Sequence, residues 1–578
     1  MDEPKINEIL LRDKNVWLHF SRPSQIIIAE NLSDILPALG EIEDRVQQDG
    51  LYAAGFLSYE SAPAFDAAHL TKPKTDFPYL WFGLYPEPRT VNLPHPTQRK
   101  PTLDWQPTVD RNTYNAAIEK IKEYIADGKT YQVNYTMRLQ TTFHVSAWEF
   151  FLHLAQSQNN HAAYINSGRY VICSASPELF FELDGNTIIG RPMKGTVRRG
   201  RTTQEDQTQS EWLKQSEKNR AENVMIVDMI RNDLGRIART GTVQVPELFH
   251  TERYPTLWQM PSPVTPQTQA SLTHIFRALF PCASITGAPK VSTMRIINEL
   301  ETAPRNIYTG SIGYFSPQRK ASINVAIRTA LIDRQTQTAE YGIGGGIVWD
   351  STSSDEYSEA LLKAHVLTES PPDFSLLETM LWTPKEGFFL KEKHIARLLD
   401  SADYFGFPIS QNEIEGELAK IDSKFTIAQR IRFLLDRSGK IISEATPYQP
   451  TEKVLQVRLA KESVNSNNVF LFHKTTVRDM YDVARADSTD CDDVLLYNEH
   501  GELTEFTIGN LVVELEGQLV TPPIKCGLLA GTFRDHLVET GQAVEKAILV
   551  SELERCTNIF RVNSIRKWEI AHIQPKGN

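Results

Sequence analysis

Cysteine is scarce. The five residues, Cys173, Cys282, Cys491, Cys526 and Cys556, are odd in number, widely scattered and never in a C-x-x-C pair. That spacing argues against a disulfide framework and a zinc site, and leaves buried or incidental thiols in a reducing cytoplasm. Apolar runs long enough to cross a bilayer, roughly eighteen residues, are missing, so no membrane span is expected. Positive charge is in deficit: 61 Lys and Arg stand against 72 Asp and Glu, for a net charge of −11. A nucleic-acid binder would show a basic field instead. The opening "MDEPKINEIL" is acidic and lacks a basic stretch followed by an apolar one, so no signal peptide is expected. Internal repeats and low-complexity segments are absent as well.

What is present is an ordinary globular composition, 41% hydrophobic and 23% charged, which points to packed domains rather than a disordered chain. At 578 residues the chain is too long for one core, and two to four domains are expected. Residues 1–100 hold short apolar runs and prolines; "LYAAGFLSYESAPAFD" (51–66) predicts a strand followed by a turn or short helix, and 93–107 a loop. Tyr114, Ala117, Ile118, Ile121, Tyr124 and Ile125 recur at helical spacing, and Gly128 stops that helix. Residues 160–200 read as strands with a turn at Asp184-Gly185, 211–240 as one long helix, and 309–350 as three strands followed by a helix. "TESPPDF" (368–374) is the clearest boundary, its prolines ending one pattern before another restarts. The expected division is thus 1–100, 101–367, a linker at 368–373, and 374–578.

Several stretches carry chemistry only weakly by themselves. Glu356 and Glu359 are three apart on one predicted helix face, and Glu222 lies on another helix. Oxygen ligands on separate helices suit Mg²⁺, which takes few carboxylates when substrate and water complete its shell; from spacing alone, a solvated face is the commoner explanation. "YGIGGGIV" (341–348), with Gly344 and Gly345, allows backbone N–H groups to approach an anion, although a bulge between strands is more usual. Lys194, in "GRPMKGTVRRG" (190–200), is either a surface charge or a reacting amine, and "VRRG" reads as a solvated basic run. Lys474, in "LFHKTTVRDMY", follows an apolar strand, where a buried amine is costly unless neutralised or used.

Taken in order, "YQVNYT" (131–136), "SASPELFF" (174–181), "RPMKGT" (191–196), "AENVMIVDMIRNDLGR" (221–236), "FPCASITGAPK" (280–290), "GSIGYF" (310–315), "NVAIRT" (324–329) and "GIGGGIVWDS" (342–351) make the first half resemble the chorismate-utilising enzymes, from about residue 50 to 367. The resemblance implies a large α/β fold in which two sheets sandwich the site. It places Mg²⁺ on Glu222 and Glu359, with Glu356 nearby, to clamp one chorismate carboxylate. Arg328 and Tyr314 would hold the other, helped by backbone N–H groups at Gly344 and Gly345, and Ser284 would lie near the ring. Some relatives carry an acid where this chain has Asn219, one helical turn before Glu222. Within the family, anthranilate synthases typically have alanine at the position of Lys194, whereas aminodeoxychorismate synthases have lysine. Gln259 likewise stands where the former usually have histidine. In the lysine-bearing group the amine is implied to attack ring C2 as hydroxide leaves. Ammonia then adds at C4 and displaces it, which requires a neutral amine and so a pKa below the ordinary ~10.4. No cysteine here sits in a nucleophile elbow between glycines, so ammonia would come from a separate class I glutamine amidotransferase subunit or from solution. "FLSYESAPAFD" (56–66) resembles the part of the family that forms a tryptophan pocket, read here as structural or vestigial.

The second half, about 374–570, resembles the class IV pyridoxal-phosphate enzymes through "LLETMLW", "HIARLLDSADYFGF", "HKTTVRDMY", "LTEFTIGNL" and "GLLAGTFR". That group includes transaminases and 4-amino-4-deoxychorismate lyases. The resemblance implies that Lys474 forms a Schiff base with pyridoxal 5'-phosphate, that Glu505 pairs with the pyridine nitrogen, and that Arg397 and Thr532 hold the phosphate. The fusion favours a lyase, since it would consume what the first half makes. The combined expectation is an α/β (α+β) chain, a two-sheet sandwich followed by a two-subdomain class IV fold. It would convert chorismate to 4-aminobenzoate for folate in the cytoplasm and dimerise through the lyase domain. The alternatives are an anthranilate synthase fused to an unrelated transaminase, or a synthase with a non-catalytic binding module.

Overall fold

The protein is described by a computed structural model, covering all residues except 98–99, 157–160, 365–366, 368–371, 423, 451–452, 488–489 and 575–578. The expected linker and the end of the helix before it lie largely outside the described residues. The chain divides into two compact units. Met1–Val197, Trp212–Tyr254 and Trp258–Pro371 form the first; Arg198–Glu211, Pro255–Leu257 and Pro372–Asn578 form the second. Among the described residues no helix is long and apolar enough to cross a membrane.

The first unit is built on a ten-stranded and a seven-stranded sheet. Residues 1–100 contribute to both: Glu8–Asp13 pairs with His161–Asn166, and Tyr52–Leu57 with Ser311–Ser316. Ile9, Phe20, Phe56, Ala163, Ile172 and Ile312 are buried together from strands of both sheets, which makes the pair a sandwich. Helices cover the outer faces. Arg111–Ala126 buries the predicted stripe Tyr114, Ala117, Ile118 and Ile121. Its N-cap Asp110 accepts a hydrogen bond from Thr113 N, and Gly128, at φ 69°, ends the segment. Tyr52–Leu57 is followed by a 3-10 turn over Tyr59–Ala64, and Asp184 pairs with Thr187 across Gly185, as their sequences predict.

Two expectations are corrected. The stretch 211–240 is not one helix: Thr203–Gln215 and Glu217–Gly235 are separated at Ser216, whose hydroxyl caps the second helix by accepting from Asn219 N. The stretch 309–350 holds four strands rather than three, Ser311–Ser316, Lys320–Val325, Thr329–Asp333 and Thr338–Ile347, because the short run between Val325 and Thr329 interrupts the pattern.

The second unit has a four-stranded and an eight-stranded sheet, each with its own core. The helix Lys391–Phe405 buries Ile395, Leu398 and Ala402 and ends at Gly406, which adopts φ 73°. In the larger sheet, Leu503–Phe506 turns directly into Gly509–Leu515, placing Glu505 opposite Asn510.

Candidate active sites

Lys194 lies on the short strand Met193–Arg198, and three carboxylates, Glu222, Glu178 and Glu359, act on its amine. Burial lowers its pKa and the Lys363 ammonium adds to that, while the carboxylates oppose. The amine donates to no protein acceptor among the described residues. Its backbone is fixed instead: Asn223, fully buried, donates to Lys194 O at 3.1 Å and Met260 O at 2.7 Å and accepts from the Ser262 hydroxyl at 2.7 Å. Asn219 packs against Gly195, with its amide turned to the Ser216 hydroxyl at 2.9 Å.

The glycine-rich strand Thr338–Ile347 runs beside this amine. A methyl group on Gly346 would stand 3.1 Å from Lys194 Nζ and 2.6 Å from the Gln132 amide nitrogen, so only glycine leaves the gap open. At Gly345 it would meet the Glu356 carboxylate at 3.1 Å and Lys363 Nζ at 3.4 Å. Ser284 donates to Glu178 at 2.6 Å. Burial raises the Glu178 carboxyl, and the Ser284 bond and the Lys194 charge pull it back.

Glu356 and Glu359 share the helix Ser353–Leu362. Among the described residues no three His, Cys, Asp or Glu side chains enclose an ion by themselves. A divalent cation there would draw its remaining ligands from substrate and water, as Mg²⁺ does. The donors fit such an ion. Glu356 is raised by burial and also by the neighbouring Glu359 charge, and the Lys363 ammonium already sits 3.0 Å from Glu359 and 2.9 Å from Gly344 O.

Arg328 has positive φ, 50°, and faces Tyr341 and Tyr254; the Tyr254 hydroxyl reaches Met193, next to Lys194. Tyr314 is not brought to this group. Its hydroxyl donates to Asp13 at 2.7 Å and its ring packs on Phe20, because strand alternation turns it toward the inter-sheet core. Tyr308 is buried, with its ring against Gly342 of the glycine-rich strand and under the Arg138 guanidinium. Sequence reasoning also passed over Gln132, whose buried amide nitrogen bonds nothing described. The Gln259 amide oxygen, at the position flagged for its departure from histidine, is similarly unsatisfied.

In the second unit a cavity of about 480 Å³ is lined by Lys474, Arg397, Glu505, Tyr481, Gly531 and Thr532, among others, within the size range of small-molecule sites. Lys474 does not end a strand. It lies in an irregular stretch between the 3-10 turn Val469–Leu471 and the helix Asp479–Ala486, tied by Leu377 N donating to Lys474 O at 2.9 Å. Burial, with the Arg397 charge adding, pushes its amine down to about 8. Glu505 is pushed up to about 7 by burial, against hydrogen bonds from the Tyr481 hydroxyl at 2.8 Å and Leu529 N at 3.2 Å. Asn510 donates to Glu505 at 3.1 Å and Leu529 O at 2.8 Å, and a Cβ on Gly531 would stand 1.8 Å from its oxygen.

Arg397 donates to Glu378 at 2.8 and 2.7 Å and to Ala530 O at 2.9 Å. Burial works against the Glu378 charge, but Arg397 and His394 hold its carboxyl well below the usual range. His394 reaches Thr532, the first residue of the helix Thr532–Glu539, at 3.2 Å. Glu378, His394 and Tyr481 were not singled out from sequence; a carboxylate beside a helix bearing His and Arg one turn apart was the available signal. A half-buried amine with no partner among the described residues, the N–H groups at a helix N-terminus and a carboxyl raised to about 7 suit pyridoxal phosphate, so the residues fit the group.

Residues 8–369 match the family of chorismate binding enzymes, and residues 375–573 match class IV amino-transferases. The chain is 41% identical to aminodeoxychorismate synthase component 1 of Escherichia coli over 268 residues, 46% of this chain and 58% of that one. It is 39% identical to the component 1 of Bacillus subtilis over 257 residues, 44% and 54%. The chain thus covers little more than half of either relative. Anthranilate synthase component I from Streptococcus pneumoniae superposes with a TM-score of 0.54 at 22% identity, over 64% of this chain and 94% of that one, a likeness of fold. The chain belongs to the chorismate binding enzyme family and joins that domain to one matching the class IV amino-transferases.

Proposed function

We propose that the first unit aminates chorismate at C4 and that the second eliminates pyruvate from the product, giving 4-aminobenzoate. The observation that carries this reading is a pair of half-buried lysines whose amines have no hydrogen-bond acceptor among the described residues, Lys194 beside Gly346 and Lys474 in the cavity. Kinship to aminodeoxychorismate synthases supports the first step.

In the first unit, Lys194 Nζ bonds to ring C2, both conjugated ring double bonds shift toward C4, and hydroxide leaves C4. Ammonia then bonds to C4, both double bonds shift back and the lysine amine departs from C2. Burial supplies the neutral lysine, and Asn223 fixes its backbone. Glu222 and Glu359, with Glu356, would hold Mg²⁺, whose charge offsets a substrate carboxylate. Arg328 and the backbone at Gly344 and Gly345 face the other carboxylate, and Ser284 orients Glu178. Burial raises all five thiols, Cys282 and Cys526 to about 12. None is a ready thiolate for glutamine hydrolysis, which supports ammonia delivery by a separate glutaminase subunit.

In the second unit, pyridoxal phosphate, when bound, supplies an electron sink at the substrate amine. Thr532 and Arg397 would hold its phosphate, and Glu505 would pair with its ring nitrogen. Lys474 Nζ, poised near neutrality, takes the proton from the amine-bearing ring carbon. Departure of the enolpyruvyl ether as pyruvate leaves an aromatic ring, which drives the step. Arg430, Arg432 and Arg566 also line the cavity and make it cationic, in keeping with a dicarboxylate substrate. Incubating the full chain with synthetic 4-amino-4-deoxychorismate and pyridoxal phosphate tests this step. Stoichiometric pyruvate and 4-aminobenzoate are expected, and transfer of the amine to an added keto acid would mark a transaminase instead.

A further inference from the structure

The stretch Arg198–Glu211 follows the strand bearing Lys194 in sequence, yet belongs to the second compact unit. Its "VRRG" is not a solvated run. Arg199 keeps 6% of its side chain exposed, and its guanidinium lies 4.1 Å over the Tyr404 ring while donating to Tyr404 O at 3.0 Å. Asp206 accepts from Arg199 Nε at 2.6 Å and from Gly200 N at 2.9 Å, and the Tyr404 hydroxyl donates to Gly200 O at 2.6 Å. Arg201 lies 5.0 Å over the Phe472 ring, donates to Ser466 O at 3.1 Å and pairs with Glu205 at 2.7 Å.

Both arginines therefore pack against the residues around the segment that leads into Lys474. Phe472 lies under Arg201. The other face of the arrangement is a stack, Arg199 on Tyr404 and Tyr404 on the His473 ring at 4.4 Å. His473 is buried, its Nδ1 3.0 Å from the Ser401 hydroxyl. Burial pushes His473 down to about 4, and the Arg199 charge acts in the same direction, so the stack holds a neutral ring. Lys474 has no helix or strand of its own; its carbonyl is tied to Leu377 N, and its two predecessors are held by the packing just described.

We propose that Arg199 and Arg201 are positioning residues for Lys474: the first half of the sequence supplies a strap that completes the second catalytic unit. This rests on the reading of Lys474 as the pyridoxal-phosphate lysine. Displacement of a reacting group by about 1 Å costs up to about a hundredfold in rate, so loss of the strap acts on turnover more than on substrate affinity.

The test uses the full chain loaded with pyridoxal phosphate. It reads the cofactor absorbance band, the pH midpoint of that band, and kcat and KM for pyruvate release from supplied 4-amino-4-deoxychorismate. Arg199→Ala should lower kcat about tenfold or more, change KM far less and move the band's pH midpoint. Arg199→Lys should recover only part, because an ammonium does not reproduce the planar stack. Arg201→Ala should act in the same direction. Should Arg199→Ala not fold, Tyr404→Phe, which drops one hydroxyl and keeps the ring, decides by the same readouts. Wild-type kcat and an unmoved midpoint in the folded variants, even with a lowered melting temperature, would overturn the proposal. A wild-type chain without the band, or Lys474→Ala retaining it, would overturn the Lys474 reading and this inference with it.

Discussion

Lys194 and Lys474, the two amines proposed to react, sit in different charged surroundings. Both are lowered first by burial. Around Lys194 the charged neighbours mostly push back, since Glu222, Glu178 and Glu359 favour the ammonium. Around Lys474 the largest charge effect, from Arg397, pushes further and Arg478 adds to it, while Glu378 and Glu505 oppose, and its amine reaches about 8. The difference matches the tasks assigned to them. We assign the amine with mostly carboxylates about it to an anionic substrate bound with a cation, and the amine beside Arg397 to a phosphate-bearing aldehyde.

The sharpest way to break the comparison is to remove each lysine in turn. Lys194→Ala should cut 4-aminobenzoate formation from chorismate about 10²–10⁴-fold while leaving conversion of supplied 4-amino-4-deoxychorismate intact. Lys474→Ala should do the reverse, with 4-amino-4-deoxychorismate accumulating, as followed by liquid chromatography. If either variant lost both activities equally, the two lysines would not serve separate steps. Gly346→Ala should follow, with about a tenfold loss in amination, as its methyl group crowds Lys194 and Gln132; an unchanged rate would mean the gap is not occupied by substrate. Glu359→Gln should raise the Mg²⁺ concentration for half-maximal amination by about tenfold, and an identical titration would remove it from the ligand set. The smallest effect is on pH. Only the neutral amine captures the cofactor, so binding of pyridoxal phosphate to the cofactor-free chain should accelerate as pH rises through about 8 and level off above it. A midpoint near that of free lysine would contradict the burial of Lys474.

The two halves differed in how much of them could be read beforehand. Helix Arg111–Ala126 was legible because its apolar stripe, cap and terminal glycine agree. Lys194 and Lys474 were legible through motifs, not periodicity. Other features depend on long-range packing that local pattern does not encode. Arg199 reads as a surface charge until Tyr404 and Asp206, the former some two hundred residues away in sequence, bury it. Tyr314 sits in a motif matching the family, but pleat alternation sends its hydroxyl to Asp13, while Tyr308, six residues earlier, faces Gly342. Gln132 and Asn223 look like ordinary polar residues, and only their burial beside Lys194 distinguishes them.

The most direct measurement of the central claim is a single incubation of the full chain with chorismate, ammonium, Mg²⁺ and pyridoxal phosphate, followed by identification of the products. Two lysines acting in sequence predict 4-aminobenzoate and pyruvate in equal amounts, with 4-amino-4-deoxychorismate building up when pyridoxal phosphate is withheld. Anthranilate as the product, or 4-amino-4-deoxychorismate that persists with the cofactor bound, would contradict it.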